Sequence, residues 1–452
     1  MTETQPKPSS LERALAVVTE VRAGEGIAAL LLALNVCLIL TASLILKPVR
    51  EGLILSMGPS GAEYKSYVGA AIAASLVFAV PAYARYADKV PKLRLVVSVT
   101  LFFASHLVLF YLAHSVPALS SNLGILFYLW HGIFNMMIVA QFWALANDLY
   151  SVDEGKRLFP LVGIGQTVGA FLGSLVAALL LRIFERYTLM LVSAALLLAS
   201  AGLGSVVYRL RKQAAPERSV AVKAAADRAG AFQLLRSDRY LGLIAVFTVV
   251  FTLVNTNGEF MLSKLFVGAA RELAEQGVIT KAEIGQYISE QYADFYLVTN
   301  TLTVLLQTLV VSRVVKRGGV KAALLVLPVI ALGDALSVAL LPLLGVLRIG
   351  KILENSFDYS FNNTARNMLW LPTSTEAKYK AKQAVDSFCV RFGDVTSAGF
   401  VFLLSATMGL GVRVFAVLNL VLIGVWLWLV LAISRENERR AAAQPAIEQA
   451  AG

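Results

Sequence analysis

Apolar residues run for about 20 positions at a time along most of this chain, separated by short polar breaks. A helix of that length rises about 30 Å, the thickness of the hydrocarbon core of a bilayer. Six runs centre on 27–46, 66–84, 94–113, 124–146, 159–182 and 188–208, and six more on 240–262, 292–313, 321–344, 347–370, 384–408 and 413–433. Between the two sets lies a basic, Ala-rich stretch with Arg211, Lys212, Arg218, Lys223, Arg228 and Arg236. The pattern predicts an all-α polytopic membrane protein of about twelve transmembrane helices. Two six-helix halves, 27–208 and 240–433, are joined by a connector at 209–239 and flanked by tails at 1–26 and 434–452.

The first tail lacks the apolar core and small-residue cleavage site of a secretory signal. Ser9 and Glu12 have capping-box spacing, which predicts an amphipathic helix on the membrane surface, running to Arg22 and stopped at Gly24 and Gly26. Apart from the connector, the break between the seventh and eighth runs, about 266–291, is the exception in length; its mixed charges predict short external helices.

Composition agrees: 58% of the 452 residues are hydrophobic and 15% charged, too apolar for a soluble enzyme of this length. A net charge of +11 would suggest nucleic acid in a soluble domain. Here the basic residues gather in alternate breaks: Arg85, Lys89, Lys92 and Arg94; Lys156 and Arg157; the connector; Arg313, Lys316, Arg317 and Lys321; Lys378, Lys380 and Lys382. The break at 114–123 has neither Lys nor Arg. The positive-inside rule then places both termini in the cytoplasm, as expected in a bacterial inner membrane, and no nucleic-acid partner is needed. Cys37 and Cys389 fall in separate apolar runs and read as small buried hydrophobes, while His106, His114 and His131 lack ligand spacing. No metal site and no cofactor is expected.

Charges inside apolar runs are costly and mark candidate sites. The first run ends in Lys47, Pro48, Arg50 and Glu51; Lys47 either snorkels to the surface or serves a site. The fifth carries Gly165, Gly169 and Gly173 at four-residue spacing, which favours close helix contact. The seventh contains Asn255, Thr256, Asn257, Gly258, Glu259 and Lys264, predicting a break that lines a cavity. The tenth is polar throughout, with Lys351, Glu354, Asn355, Asp358, Asn362, Asn363 and Arg366, and must face water. The densest cluster, from Asn362 to Asp394, also holds Lys382, Asp386 and Arg391. Its Thr373-x-x-Glu376 repeats the Ser151-x-x-Glu154 of the first half, suggesting two related halves.

Ala84–Arg94, with Asp88 inside it, resembles the acidic-basic loop of the major facilitator superfamily, and Arg313–Lys321 occupies the equivalent place in the second half. Asp88 acts as a charge latch, or the loop carries positive-inside residues alone. The segments LILKPVREG, FWALANDLYSVDEGKRLFPLVGIGQTVGA, LVNTNGEFMLSKL and YSFNNTARNMLWLPTSTEAKYKAKQAVDSFCVRFGDVTSAG resemble the ATP/ADP translocase family. That resemblance implies nucleotide exchange by alternating access in a monomeric carrier that is not an enzyme. It carries transport roles over to Lys47, to Asp148, commonly Glu in the family, and to Lys382; Arg366 stands where Lys is frequent, and Asp386 and Arg391 match the same pattern. It departs at Asn255, where the family has an acid; Glu259 lies one turn later.

The residues fit an anionic cargo on their own terms. Lys47, Arg50, Arg366, Lys382 and Arg391 are cations for a polyphosphate. Asp148, Asp386 and Asp394 can hold cations oriented in an empty site, and Trp143, Tyr150, Tyr359 and Trp370 can stack on a base. No GxxxxGK[ST] is present, so a nucleotide would be cargo rather than fuel. The alternatives are a proton-coupled or lipid-handling transporter on the same scaffold, or a membrane partner protein that does not transport.

Overall fold

The structure, a computed structural model, describes residues 9–16, 19–87, 89–214, 230–374 and 377–451. Asp88, Glu376 and the connector residues Arg218, Lys223 and Arg228 lie outside the described residues. The chain runs through α1 (Ser10–Leu15), α2 (Gly26–Leu55), α3 (Gly61–Ala87), α4 (Lys92–Ala113), α5 (Pro117–Ser120), α6 (Leu123–Leu149), α7 (Val152–Leu180) and α8 (Thr188–Ala214). It continues through α9 (Ala231–Ser237), α10 (Arg239–Glu275), α11 (Ile284–Leu309), α12 (Val311–Leu340), α13 (Leu344–Phe357), α14 (Asn363–Met368), α15 (Lys382–Ala384), α16 (Val390–Phe400) and α17 (Val412–Ala451). Wider π-helical turns at Asp358–Asn362, Val385–Cys389 and Val401–Thr407 join α13 to α14 and extend α15 and α16. Among the described residues there is no strand.

Ten helical segments are long and apolar enough to cross a membrane among the described residues. The eighth and tenth expected spans correspond to α11 and to α13–α14, which are not among them; α13 and α14 are separate helices of 14 and 6 residues.

Three local expectations are corrected. Helix α10 runs unbroken through Asn255–Glu259, because each polar side chain there finds a partner on a neighbouring helix and the backbone has no need to open. It also continues to Glu275, so the break before α11 shrinks to residues 276–283, without helices of its own. Helix α1 has the Ser9–Glu12 capping box but stops at Leu15. The Arg22 N–H, which a helix reaching that residue would use, donates to the Glu25 carboxylate at 3.0 Å instead, and the Gly24 N–H donates to Glu12 at 2.6 Å.

The chain divides into two compact units. The first is Met1–Ile54, Ala74–Val222 and Gly285–Leu297; the second is Leu55–Ala73, Lys223–Ile284 and Val298–Gly452. In the first, α7 lies on α2 through the predicted glycine face. A β-carbon at Gly165, Gly169 or Gly173 would fall on the backbone of Ala33, Cys37 or Thr41, and Thr41 donates to the Gly169 carbonyl at 3.2 Å. Backbones this close gain dispersion that side chains would prevent, which is how helices associate where lipid removes the hydrophobic drive. The N-terminus of α7 is closed by the Ser151–Glu154 capping box. Lys156 and Arg157, expected in a loop, lie within its first turns; Arg157 is buried, with Glu25 oxygens at 2.9 Å from both terminal nitrogens.

The second unit is built around Tyr240, Phe247, Phe361 and Trp426, all buried. Tyr240 donates to the Leu369 carbonyl at 2.7 Å and accepts from Asn437 at 2.6 Å, tying α10 to the end of α14 and to α17. Helix α12 kinks at Gly319, whose φ of 64° suits a residue without a β-carbon.

Candidate functional site

Within the first unit, α2 passes Pro48 as continuous helix and presents Lys47 and Arg50 toward aromatic rings. The Lys47 ammonium sits 4.2 Å from the Tyr296 ring centre, and the Arg50 guanidinium 4.4 Å from that of Tyr128. Arg50 also pairs with Glu51, which is fully buried, and lies 3.4 Å from His131 Nδ1. These partners hold both cations in place. Asp148, at the end of α6, pairs with Lys92. Trp143 meets Phe142 and Phe159 edge-on, and Tyr150 is buried beneath Arg211, 4.4 Å from the guanidinium. Burial pushes the Tyr150 hydroxyl up to about 12. Both rings are taken up in packing.

Within the second unit, α14 and the segment from α15 border an open pocket of about 290 Å³ lined by Asn363, Arg366, Asn367, Trp370, Lys382 and Asp386, with Val390. Arg366 and Asn363 lie one helical turn or less apart on α14, so the spacing that makes the helix also directs them together. Arg366 Nη2 donates to Asp386 Oδ1 at 3.2 Å and Lys382 Nζ to Asn367 Oδ1 at 2.9 Å. Two cations face one acid, so the cavity favours anions. Arg391 stands apart from it, donating to Asp394 at 3.1 Å, while Thr256 on α10 donates to the other Asp394 oxygen at 3.1 Å.

Asn255 and Glu259 belong to a third group, organised by Lys351, which is fully buried. Its ammonium donates to Glu354 at 2.8 Å and to Asn255 Oδ1 at 2.9 Å and lies 3.9 Å from Glu259. Glu259 accepts from Asn355 at 3.2 Å and lies 3.6 Å from Lys65. Beside them Asp358 accepts from Asn362 at 2.7 Å. Sequence reasoning missed two members: Lys65, which precedes an apolar run, and Asp334, a single acid inside the run 321–344. A lone acid in an apolar run was the available signal. Among the described residues no group of three or more His, Cys, Asp or Glu has metal-site geometry.

The all-helical architecture and these buried ions define a multi-pass integral membrane protein with a major facilitator-like fold. Solved structures of that kind align along nearly the whole chain: a bacterial homologue of the iron transporter ferroportin in an inward-facing state (TM-score 0.62, 11% identity, 90% of this chain and 98% of that one). A bacterial homologue of the human lysosomal transporter Spinster follows (0.59, 14%, 92% and 98%), as does the nucleoside transporter NupG (0.55, 14%, 90% and 98%).

The family model of the TLC ATP/ADP transporter matches residues 121–437, and the chain belongs to that family. It is also similar to ADP,ATP carrier protein 4 of Rickettsia bellii, at 23% identity over 304 residues, 58% of this chain. The match spans 56% of that curated relative, about half its length.

Proposed function

We propose that the protein carries nucleotides of the ATP/ADP type, or a related organophosphate anion, across a bacterial inner membrane by exchange, with both termini cytoplasmic and the chain acting as a monomer. The halves 27–208 and 240–433 are the moving parts of this reading. The observation that carries it is the Arg366–Lys382–Asp386 cavity. At about 290 Å³ it lies at the lower end of small-ligand cavities, enough for a phosphate chain. Arg366 offers a planar fork that matches phosphate oxygens, and Lys382 a mobile point charge. Asp386 keeps the fork aligned until an anion replaces it, and Trp370 closes one wall. Lys47 and Arg50 of the first unit, each set against an aromatic ring, are further cations for the cargo, and Asn255 and Glu259 belong to the buried ions that support the path. Family membership and the ADP,ATP carrier relative support the choice of cargo.

The test is uptake of labelled ATP, ADP and orthophosphate into liposomes bearing the purified protein, preloaded with nucleotide or empty, beside Lys382→Ala and Lys47→Ala. Uptake confined to preloaded vesicles and lost in both variants is the expected result. Absence of uptake under every loading would remove the nucleotide assignment.

A further inference from the structure

We infer that a groove on the first unit, between α3, α4 and α6, holds an anionic phospholipid of the surrounding bilayer, with an acyl chain in the groove and the phosphate at the basic end of the helices. The inference does not depend on the cargo. The groove measures about 480 Å³ and is lined by Ala79, Ala82 and Tyr83 of α3, Phe102 of α4, and Trp130 and Met137 of α6. Two alanines on one side and aromatic rings on the other leave a trough. Its wall is set by packing: Trp130 stacks on Phe134 at 5.1 Å and meets Phe103 and Phe110 edge-on.

The surroundings are apolar as well. Helix α3 is the least buried of the ten membrane-length segments found among the described residues. Beside the groove Phe78 is 77% exposed, and Phe102 at its edge 53%. Rings exposed to this degree mark a surface that lies against hydrocarbon. Arg94 precedes Ser98 by four positions and Phe102 by eight, so the three share one face of α4. Over that interval α4 rises about 12 Å, most of one leaflet of a hydrocarbon core about 30 Å thick. The groove thus has the reach of an acyl chain running inward from the membrane surface.

At the other end the groove becomes polar. Tyr86 Oη and Ser98 Oγ, both in its lining, lie 3.1 Å apart and bridge α3 to α4. Lys89 follows the end of α3 and donates its N–H to the Tyr86 carbonyl at 3.1 Å, which keeps it beside that wall. Arg85 adjoins Tyr86 in the chain, and Arg94 lies one turn beyond Ser98. Lys92 pairs with Asp148, whereas Arg85, Lys89 and Arg94 are exposed and have no ion pair among the described residues. These cations can donate charge-assisted hydrogen bonds to a phosphodiester, with two hydroxyls below them for its ester oxygens. Basic clusters at the membrane surface attract anionic lipids in this way. A phosphatidylcholine head would bring a cation of its own to this end; a phosphatidylglycerol head brings negative charge alone.

The test uses the full-length protein in phosphatidylcholine liposomes doped with lipids brominated on the acyl chain, which quench tryptophan fluorescence on contact. The Trp130 signal is the difference between the natural protein and Trp130→Phe. Each basic residue near the surface is worth about a fivefold preference for anionic lipid. Brominated phosphatidylglycerol should therefore half-quench Trp130 at a mole fraction at least about fivefold lower than brominated phosphatidylcholine does. Arg94→Gln should lower that preference by about fivefold, and Ala82→Leu, which fills the groove, should abolish quenching by both lipids; both positions are exposed. Equal half-quenching fractions for the two lipids, a preference unchanged in Arg94→Gln, or quenching that persists in Ala82→Leu overturns the proposal. Should Trp130→Phe not fold, native mass spectrometry of the natural protein and Arg94→Gln, each taken from an equimolar mixture of the two lipids, decides without it. Phosphatidylglycerol should be retained in excess by the natural protein and less by the variant; equal retention of the two lipids by the natural protein overturns the proposal.

Discussion

Arg366 donates to Asp386 at 3.2 Å, and both side chains line one pocket, so on the proposed reading the guanidinium is already aligned for an anion. That alignment lowers the ordering cost of binding. Arg366→Ala removes charge-assisted hydrogen bonds of about 1.5–3 kcal/mol each, so apparent affinity should fall by roughly tenfold or more. Arg366→Lys should recover only part of it, because an ammonium lacks the fork. The KM for uptake in the two variants checks this; equal values for Lys and Arg would argue against a bidentate contact.

The contact of Gly169 with Cys37 sets a steric prediction. A β-carbon there would stand 2.5 Å from the Cys37 carbonyl oxygen, and neither backbone can move alone. Gly169→Ala should therefore destabilise by about 1–3 kcal/mol as overpacking does. Gly163→Ala, two turns of chain away with open space around its position, should be neutral or slightly stabilising. Thermal unfolding in detergent separates the two.

Glu25 and Arg157 make a pH-dependent tie at the start of the first unit. The hydrogen bonds from Arg157, offsetting burial and helped by the Arg22 N–H, hold the Glu25 carboxyl below its ordinary 4.5. Its folded value is depressed, so the stabilisation is complete above that ordinary value and is lost as pH falls through the lower, folded one. Glu25→Gln should cost about 2 kcal/mol at neutral pH by leaving a buried guanidinium less well matched, and the difference from the natural protein should vanish in acid. Melting temperatures followed from neutral to acid pH would show the curves converging; parallel curves would mean the tie carries no stability.

Much of this was legible in the sequence, for reasons visible in particular residues. Apolar run length sets the membrane helices, and Gly165, Gly169 and Gly173 announced the α2–α7 contact because four-residue spacing can serve little else so well. Ser151 and Glu154 announced a cap by their spacing. The pairings were not legible. Nothing local says that Asp148 meets Lys92, or that Lys65 reaches Glu259, since such partners are set by helix packing between distant positions. The unbroken α10 was misjudged for the same reason. A polar run such as Asn255–Glu259 reads as a broken helix until its hydrogen-bond partners on α13, α16 and α17 are known.

Lys351 gives the sharpest stability test. Its ammonium is fully buried and lies within ion-pair distance of Glu354 and Glu259. Removing one partner of a buried pair leaves an uncompensated charge, typically at a cost of 3–5 kcal/mol. Lys351→Met should therefore fold poorly, with low yield of monodisperse protein. Neutralising the released acid as well removes that charge, so Lys351→Met with Glu354→Gln should recover much of the loss. The comparison is a double-mutant cycle on yield and melting temperature, and its sign is what matters. Recovery in the pair means that the cluster is held together by charge balance. If the pair is as unstable as the single variant, Lys351 contributes mainly through its packing against Gly258, which its side chain approaches within 3.0–3.4 Å of the position a β-carbon would take.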